Sequence, residues 1–466
     1  MLNLAAMRAT LLLPCETRSR ELDAKLLLAC VAAERGFPCV LGSRTELHLS
    51  AGRLPRGIYL AKDVCGTSRR IFDILGRLGH VVVAWDEEGL VRHDAAQYQR
   101  TRLSREALAH VSHLFAWGRA DAEVLEQSEA ARGIPVHVTG NPRVDLLRRE
   151  LRGFFADEVA GIERRFGRPL LLNTNFAHLN HFVPGLSTYG PRARGRSRWS
   201  ADPFTARLAR YRQALFARFL ELVPALAAAF PAERIVIRPH PEESAGPWRE
   251  AARGCPNVEV VREGGSAPWL LASRALIHNG CTTAIEGALL GTPAVAFQPL
   301  RSAEFDRELP DSLSHGAPDP ERVIRLLRAA LAGELAPRAD AESAEALRAS
   351  LAALEGPLAA DRIADVLEGI AESGPAPEPG LAARLHGRIH AALRAALVRG
   401  IRSRIPGHKN SAAYQRHRFP PLSLGEVRER IARFQKLTGR FAGLSCAELS
   451  QNIFQLTPAG DAGPRT

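Results

Sequence analysis

Short apolar runs alternate with longer stretches of helical period through most of this chain, and that rhythm restricts the fold more than any other feature. A brief run that is apolar throughout is buried on both faces, as strands are in a parallel sheet flanked by helices. In the first half the runs Ala9–Leu13, Cys39–Gly42, Ile58–Leu60, His80–Ala84, Leu114–Trp117 and Val136–Thr139 read as strands. Between the first two, Glu21–Arg35 repeats Leu22, Leu26, Leu27, Cys30 and Val31 at helical spacing. A second series follows the amphipathic run Asp157–Phe166, with strands at Pro169–Asn173, Ile235–Arg238, Val258–Val261, Ala275–His278 and Ala294–Phe297.

The expected fold class is α/β: two Rossmann-type domains facing a cleft, with a helical extension at the C-terminus. The boundaries fall at 1–166 for the first domain, 167–372 for the second, 373–380 for a Pro/Gly-rich linker and 381–466 for the basic extension. Gly185–Asp202, polar and without period, reads either as a loop over the cleft or as a surface insertion. In the extension Leu385, Ile389, Leu393 and Leu397 share one helix face, with Arg384, Arg388, Arg394, Arg399, Arg402 and Arg404 around it. Such a helix can lie on anionic lipid, and it can equally cover a domain of its own protein.

Composition matters mainly for partners and compartment. A formal charge of +12 fits anionic partners, although an Arg-rich balance also follows from a GC-rich genome. Seven scattered cysteines, never spaced C-x-x-C, indicate neither a zinc site nor a disulfide framework and fit a reducing cytoplasm. The N-terminal stretch lacks a basic region and a cleavage site, and no segment is long and apolar enough to span a bilayer.

Three strand ends carry the candidate chemistry, and ligands of parallel sheets bind at the carboxyl ends of strands. The first is Val81–Ala84 leading into Trp85-Asp86-Glu87-Glu88-Gly89, where adjacent acids in partial burial can serve a general base. A solvated acidic turn is the competing reading. The second is Ile235–Arg238 followed by Pro239-His240-Pro241, in which two prolines restrict the direction of the imidazole beside Arg238. That pair suits a phosphate oxygen, and a structural histidine in a Pro-rich turn fits as well. The third is Ala275–His278 followed by Asn279-Gly280-Cys281-Thr282-Thr283, where a helix starts near Thr282 and its free amides and dipole favour an anion. Glu286, one turn on, faces the same way and can reach ribose hydroxyls. His178 and His181 lack a third ligand at matching spacing, so no metal is expected. Arg18, Asp23 and Lys25 follow the first strand, and Gly140-Asn141-Pro142-Arg143 follows another; neither group receives a role from the sequence.

Together these constellations resemble glycosyltransferases of the GT-B class, and the chain is similar to the surface carbohydrate biosynthesis protein family. The run from Asn279 to Pro293 resembles the donor-nucleotide signature of that class, which nucleotide-sugar epimerases share. Glu87-Glu88-Gly89, His240-Pro241 and Thr282-Thr283 match in order three motifs of bacterial sialyltransferases and of transferases of the sugar acid Kdo.

The resemblance implies a metal-independent transferase with no cofactor, working in the cytoplasm or peripherally at the inner face of the plasma membrane. Glu87 would be the base, with Asp86 or Glu88 in its place if the register differs. Arg238, His240, Pro241, Gly280, Thr282, Thr283 and Glu286 would hold the donor nucleotide and its phosphate. The implied partners are a nucleotide-sugar donor and a glycan or lipid-linked acceptor, with contact to an anionic membrane surface and no nucleic acid. A cytidine-linked acidic sugar is the first expectation for the donor, a uridine-linked sugar the second and polyol-phosphate transfer the third. A nucleotide-sugar 2-epimerase or a noncatalytic glycan-binding protein on the same scaffold are the alternatives.

Overall fold

A computed structural model describes residues 8–189, 203–374 and 378–458 of the chain. Most of the stretch expected to be a loop, Gly185–Asp202, and the middle of the expected linker lie outside the described residues. The chain forms two compact units, residues 1–154 with 348–466, and residues 155–347. Each is a doubly wound α/β unit, the architecture that the GT-B resemblance implies.

In the first unit the strands are β1 (Thr10–Cys15), β2 (Cys39–Ser43), β3 (Gly57–Ala61), β4 (Val81–Ala84), β5 (Val111–Ala116) and β6 (Val136–Val138). They run parallel in the order β2-β1-β3-β4-β5-β6, so the strand order reverses between β1 and β3. Leu11, Leu12, Leu13, Val40, Leu60, Val83 and Phe115 are buried, as near-continuous apolar strands must be between two helix layers. The helix Arg18–Glu34 is buried along nearly its whole length, which explains why it carries so little amphipathic contrast.

The second unit holds β7 (Leu170–Asn173), β8 (Ile235–Arg238), β9 (Val258–Val260), β10 (Ala275–His278), β11 (Ala294–Phe297) and β12 (His315–Ala317). Their order β9-β8-β7-β10-β11-β12 is that of a dinucleotide-binding Rossmann sheet, wholly parallel, with its reversal between β7 and β10. The short β12 is absent from the sequence reading because His-Gly-Ala has no apolar run.

Residues beyond 347 return to the first unit. The Ala352 amide donates to the Trp117 carbonyl at 2.7 Å, and the buried Asp145 carboxylate accepts the first amides of the helix Ala359–Glu372, those of Ala359 and Ala360, at 2.8 and 2.9 Å. The C-terminal segment is helical as expected over Leu381–Gly400, Ala412–Arg418 and Leu424–Thr438. It then adds a hairpin that the helical pattern did not announce, β13 (Ser445–Ser450) and β14 (Ile453–Thr457), and β14 pairs antiparallel with β2. Gly42 permits this docking: a Cβ there would meet the Asn452 carbonyl oxygen at 2.1 Å. The hairpin caps an otherwise bare sheet edge with Phe454 and Leu456 buried beneath it.

Candidate functional site

The acidic triplet leaves the carboxyl end of β4, and each acid has a different environment. Asp86 is buried and fully engaged: it accepts from Arg102 Nε at 2.8 Å, Tyr98 Oη at 3.0 Å and the Glu88 amide at 3.0 Å. Its own carbonyl accepts from Trp117 Nε1. Asp86 therefore fixes the turn.

Glu87 points inward. Its Oε1 accepts from Trp85 Nε1 at 2.9 Å and lies 3.3 Å from Lys25 Nζ, while its Oε2 is buried, has no hydrogen bond and lies 3.8 Å from Arg143 Nη1. Lys25, at 1% exposure, donates to the Pro14 carbonyl at 2.6 Å and to Glu21 Oε2 at 2.9 Å. Burial acts against the Lys25 charge, but Glu21 and Glu87 outweigh it and hold the ammonium above its ordinary pKa. Burial would raise the Glu21 pKa, yet Lys25 and Lys62 bring it down to about 2.

Glu88 is the acid that faces outward. Its side chain is 42% exposed and pairs with Arg20 Nη1 at 3.0 Å. Desolvation pushes its pKa up, and Arg20, Lys62 and Arg143 together hold it well below the usual carboxylate range. Arg20 and Lys25 from the helix Arg18–Glu34, Lys62 after β3 and Arg143 after β6 thus converge on the triplet. Sequence reasoning listed Lys25 and Arg143 without a role and missed Arg20 and Lys62, because charges that meet across four strand ends leave no spacing signal.

In the second unit the other two motifs sit at the carboxyl ends of β8 and β10, on either side of β7. Two strand spacings of about 4.8 Å put those ends about 10 Å apart. Arg238 Nη2 donates to the carbonyls of Glu263 at 2.8 Å and Gly264 at 2.7 Å, and its guanidinium lies over the Trp269 ring. Burial lowers its pKa to about 10, so it remains a cation at neutral pH. His240 Nδ1 accepts from the Glu242 amide at 3.2 Å, which assigns the proton of the neutral ring to Nε2.

The turn through Pro241 is braced by Glu243, which the sequence reading passed over. That carboxylate is fully buried and accepts from Thr174 Oγ1 at 2.9 Å, the Phe176 amide at 2.7 Å, the His240 amide at 3.3 Å and Trp248 Nε1 at 3.1 Å. A Glu two residues after His-Pro was visible, but its partners come from β7 and a later helix.

At the end of β10, His278 is completely buried. Its Nδ1 accepts from the Gly280 amide at 3.0 Å, so Nε2 carries the proton toward Ser314 Oγ at 2.8 Å. Gly280 turns the chain at φ +73, where a side chain would be strained, and its carbonyl accepts from Arg307 at 2.9 Å. The helix Thr282–Leu290 follows, capped by Cys281 without a side-chain bond, so its first amides face the sheet's carboxyl edge. Thr282 and Thr283 are half-buried; Thr283 contacts Cys281 Sγ, and Glu286 accepts from Ser266 Oγ. Glu286 is therefore held inside its own unit.

Burial keeps His278 neutral and lowers its pKa to about 3. An unfolded chain protonates that imidazole near pH 6.5. The unfolded state then binds the extra proton, so stability is complete above pH 6.5 and is lost as pH falls toward 3. Urea titrations across that range are expected to show a slope of up to about 1.4 kcal/mol per pH unit from this one group. In His278→Gln that component should vanish; an unchanged slope would refute the assignment.

Beside Gly280 lies a shallow recess, open to solvent and lined by Tyr211, Arg212, Asn279, Gln298, Arg307 and Asp311 among others. Asn279 is 7% exposed, and neither amide atom has a partner. Arg212 is 9% exposed and makes no hydrogen bond or ion pair among the described residues; Asp306 nearby is taken up by Tyr211 Oη and the Ser302 amide. Desolvation of Arg212 lowers its pKa, with Tyr211, Tyr189 and Asp306 opposing the shift. Burial raises Asp311 to about 6. Neither Arg212 nor the segment 298–311 carries a motif, and the sequence reading missed both. Among the described residues no cluster of three His, Cys, Asp or Glu side chains could hold a metal ion.

No protein-family model matches the chain, and no curated protein matches it. Several solved structures are similar. A putative UDP-N-acetylglucosamine 2-epimerase from Listeria monocytogenes is 12% identical, with 81% of this chain and 100% of that one covered at a TM-score of 0.47. UDP-GlcNAc 2-epimerase from Neisseria meningitidis, bound to UDP-GlcNAc, is 14% identical over 68% of this chain and 76% of that one, at 0.40. The wall teichoic acid polymerase TagF is 11% identical over 68% and 72%, at 0.42.

Proposed function

We propose that this chain is a glycosyltransferase that moves a sugar from a nucleotide-activated donor to a surface polysaccharide or lipid-linked acceptor. The second unit would hold the donor and the first would present the acceptor-side acid. One observation carries the reading: the Gly280 turn, the start of the helix Thr282–Leu290 and the braced His240 turn share one carboxyl edge, flanking the strand-order reversal of a Rossmann sheet. Backbone amides and a helix dipole favour a phosphate there, and an imidazole with its proton on Nε2 can donate to it. Thr282, Thr283, Arg238 and Pro241 belong to this donor side, with Glu286 in reach of ribose.

The recess favours an acidic donor sugar. The Arg212 guanidinium, which makes no hydrogen bond or ion pair among the described residues, can take a sugar carboxylate, and the adjacent Asn279 amide and Asp311 carboxyl suit sugar hydroxyls. A cytidine-linked sugar acid is therefore the first candidate and a uridine-linked sugar the second. Among the three acids, exposure supports Glu88 as the base that meets the acceptor hydroxyl, with Glu87 and Asp86 holding it in place. Seven unpaired thiols support a reducing compartment.

Thermal-shift titration against cytidine, uridine, guanosine and thymidine nucleotides tests the donor assignment, because a ligand of the folded state raises the melting temperature. Cytidine monophosphate is expected to stabilise most, and its conjugate with a sugar acid to stabilise further. If no nucleotide shifts the transition, the transferase reading fails.

A further inference from the structure

The helix Leu381–Gly400 presents two opposed faces. Gly387, Ala391, Ala395 and Val398 are buried against the first unit, where Gly387 sits on Arg77 and Leu78, Ala391 on Gly52, and Arg394 donates to the His48 carbonyl. At 100° per residue the opposite side carries the apolar row that steps by four from Leu381 to Leu397. That row is turned to solvent: Leu381 is 76% exposed, Leu393 62%, and the intervening Leu385 and Ile389 about half, with Ile401 and Ile405 continuing it past the helix end. The two uses that the sequence left open for this helix are thus divided between its faces: mostly small residues cover the protein, and the row of larger ones stays largely exposed.

Charge indicates what belongs on that face. Residues 379–425 contain no Asp or Glu and nine Lys or Arg. Arg388, Arg402 and Arg404 make no ion pair among the described residues. A second copy would bring a like-charged surface with no acid to pair it, whereas an anionic bilayer supplies both an apolar interior and negative headgroups. No helix in the described residues is long and apolar enough to cross a membrane, and this one, about 30 Å long, has the form of a helix that lies in the headgroup plane.

We infer that the helix Leu381–Gly400, with Ile401 and Ile405, is a membrane-docking surface that seats the first unit on anionic lipid. The leucines enter the acyl boundary while the arginines contact headgroup phosphates. This is independent of which donor the second unit takes.

Flotation of the full chain with phosphatidylcholine vesicles, alone or containing one-third phosphatidylglycerol, tests it. The chain should float with the anionic vesicles only, and binding should weaken as salt rises toward about 1 M, where screening acts within about 3 Å. Leu385→Ser with Leu393→Ser removes two exposed side chains, so the melting temperature should hold while the vesicle affinity falls at least about tenfold. Arg388→Glu with Arg402→Glu should weaken binding without touching the apolar row. Failure to float with anionic vesicles overturns the inference, as does equal flotation of the double-Ser variant. Sedimentation equilibrium showing a dimer that the double-Ser substitution dissolves would assign the face to a second copy and overturn it likewise.

Discussion

A Lys25→Met variant is expected to lose about 3–5 kcal/mol of stability at neutral pH, the scale for removing one partner of a buried ion pair. Methionine fills the volume of the stem but leaves two inward carboxylates, Glu21 and Glu87, without the ammonium that lies 2.9 and 3.3 Å from them. The Pro14 carbonyl at the end of β1 loses its donor as well. With typical stabilities of about 5–15 kcal/mol, much of the folded population is at stake.

The pH dependence carries a sign. In the native chain Glu21 is held down to about 2, so its contribution is present above the ordinary carboxylate range and is lost only as pH falls toward 2. In the variant Glu21 stays desolvated without its nearest cation and takes up a proton more readily than in the native chain, so the deficit should shrink as pH falls from 7 toward 5. Urea midpoints of the two proteins at several pH values measure this. Adding Glu87→Gln should restore part of the loss, since it removes one of the two buried carboxylates that the Lys25 ammonium faced. Equal midpoints for Lys25→Met and the native chain would show that the triplet is not held by this network.

Glu88→Gln is expected to lower turnover about 10²- to 10⁴-fold, the range for loss of a positioned proton acceptor. Its side chain is half in solvent and pairs with Arg20, so folding and nucleotide affinity should be unchanged. Glu87→Gln should behave differently: the amide can still accept from Trp85, but Lys25 loses one of its two carboxylates and stability falls. Because Arg20 and its neighbours hold Glu88 well below the usual carboxylate range, the acid limb of kcat/KM should lie lower than an ordinary glutamate would place it. Arg20→Gln should move that limb upward. Full turnover in Glu88→Gln, with the loss appearing in Glu87→Gln instead, would transfer the role to the inward acid.

Most of the eleven strands were legible as apolar runs because they are buried on both faces, whereas the edge strands Val136–Val138 and Val258–Val260, only partly buried, showed through their paired valines. Ile235–Arg238, Ala275–His278 and Ala294–Phe297 have in the structure the same bounds that the sequence indicates. The Gly280 turn and the close of the next helix at Gly291, both at positive φ, were legible for a similarly local reason. Less local features were not. Nothing in the polar β13 suggests a strand, since five of its six residues are exposed and its pairing comes from β14 and β2. Glu243 carries no local signal after His240-Pro241, and the approach of Thr174, Phe176 and Trp248 buries it.

What the sequence determined by itself was the rhythm of strands and helices, the two doubly wound units and the strand ends where polar residues gather, because each depends on residues within one or two turns of each other. Tertiary structure alone decided which acid faces outward, which cations surround it, where the final hairpin pairs and which side of the Leu381–Gly400 helix is bare. Those outcomes are set by groups far apart in the chain, as in the pairing of Arg20 with Glu88 or the capping of Ala359 by Asp145, and the energy of a buried charge or an uncovered leucine depends on neighbours that no local spacing encodes.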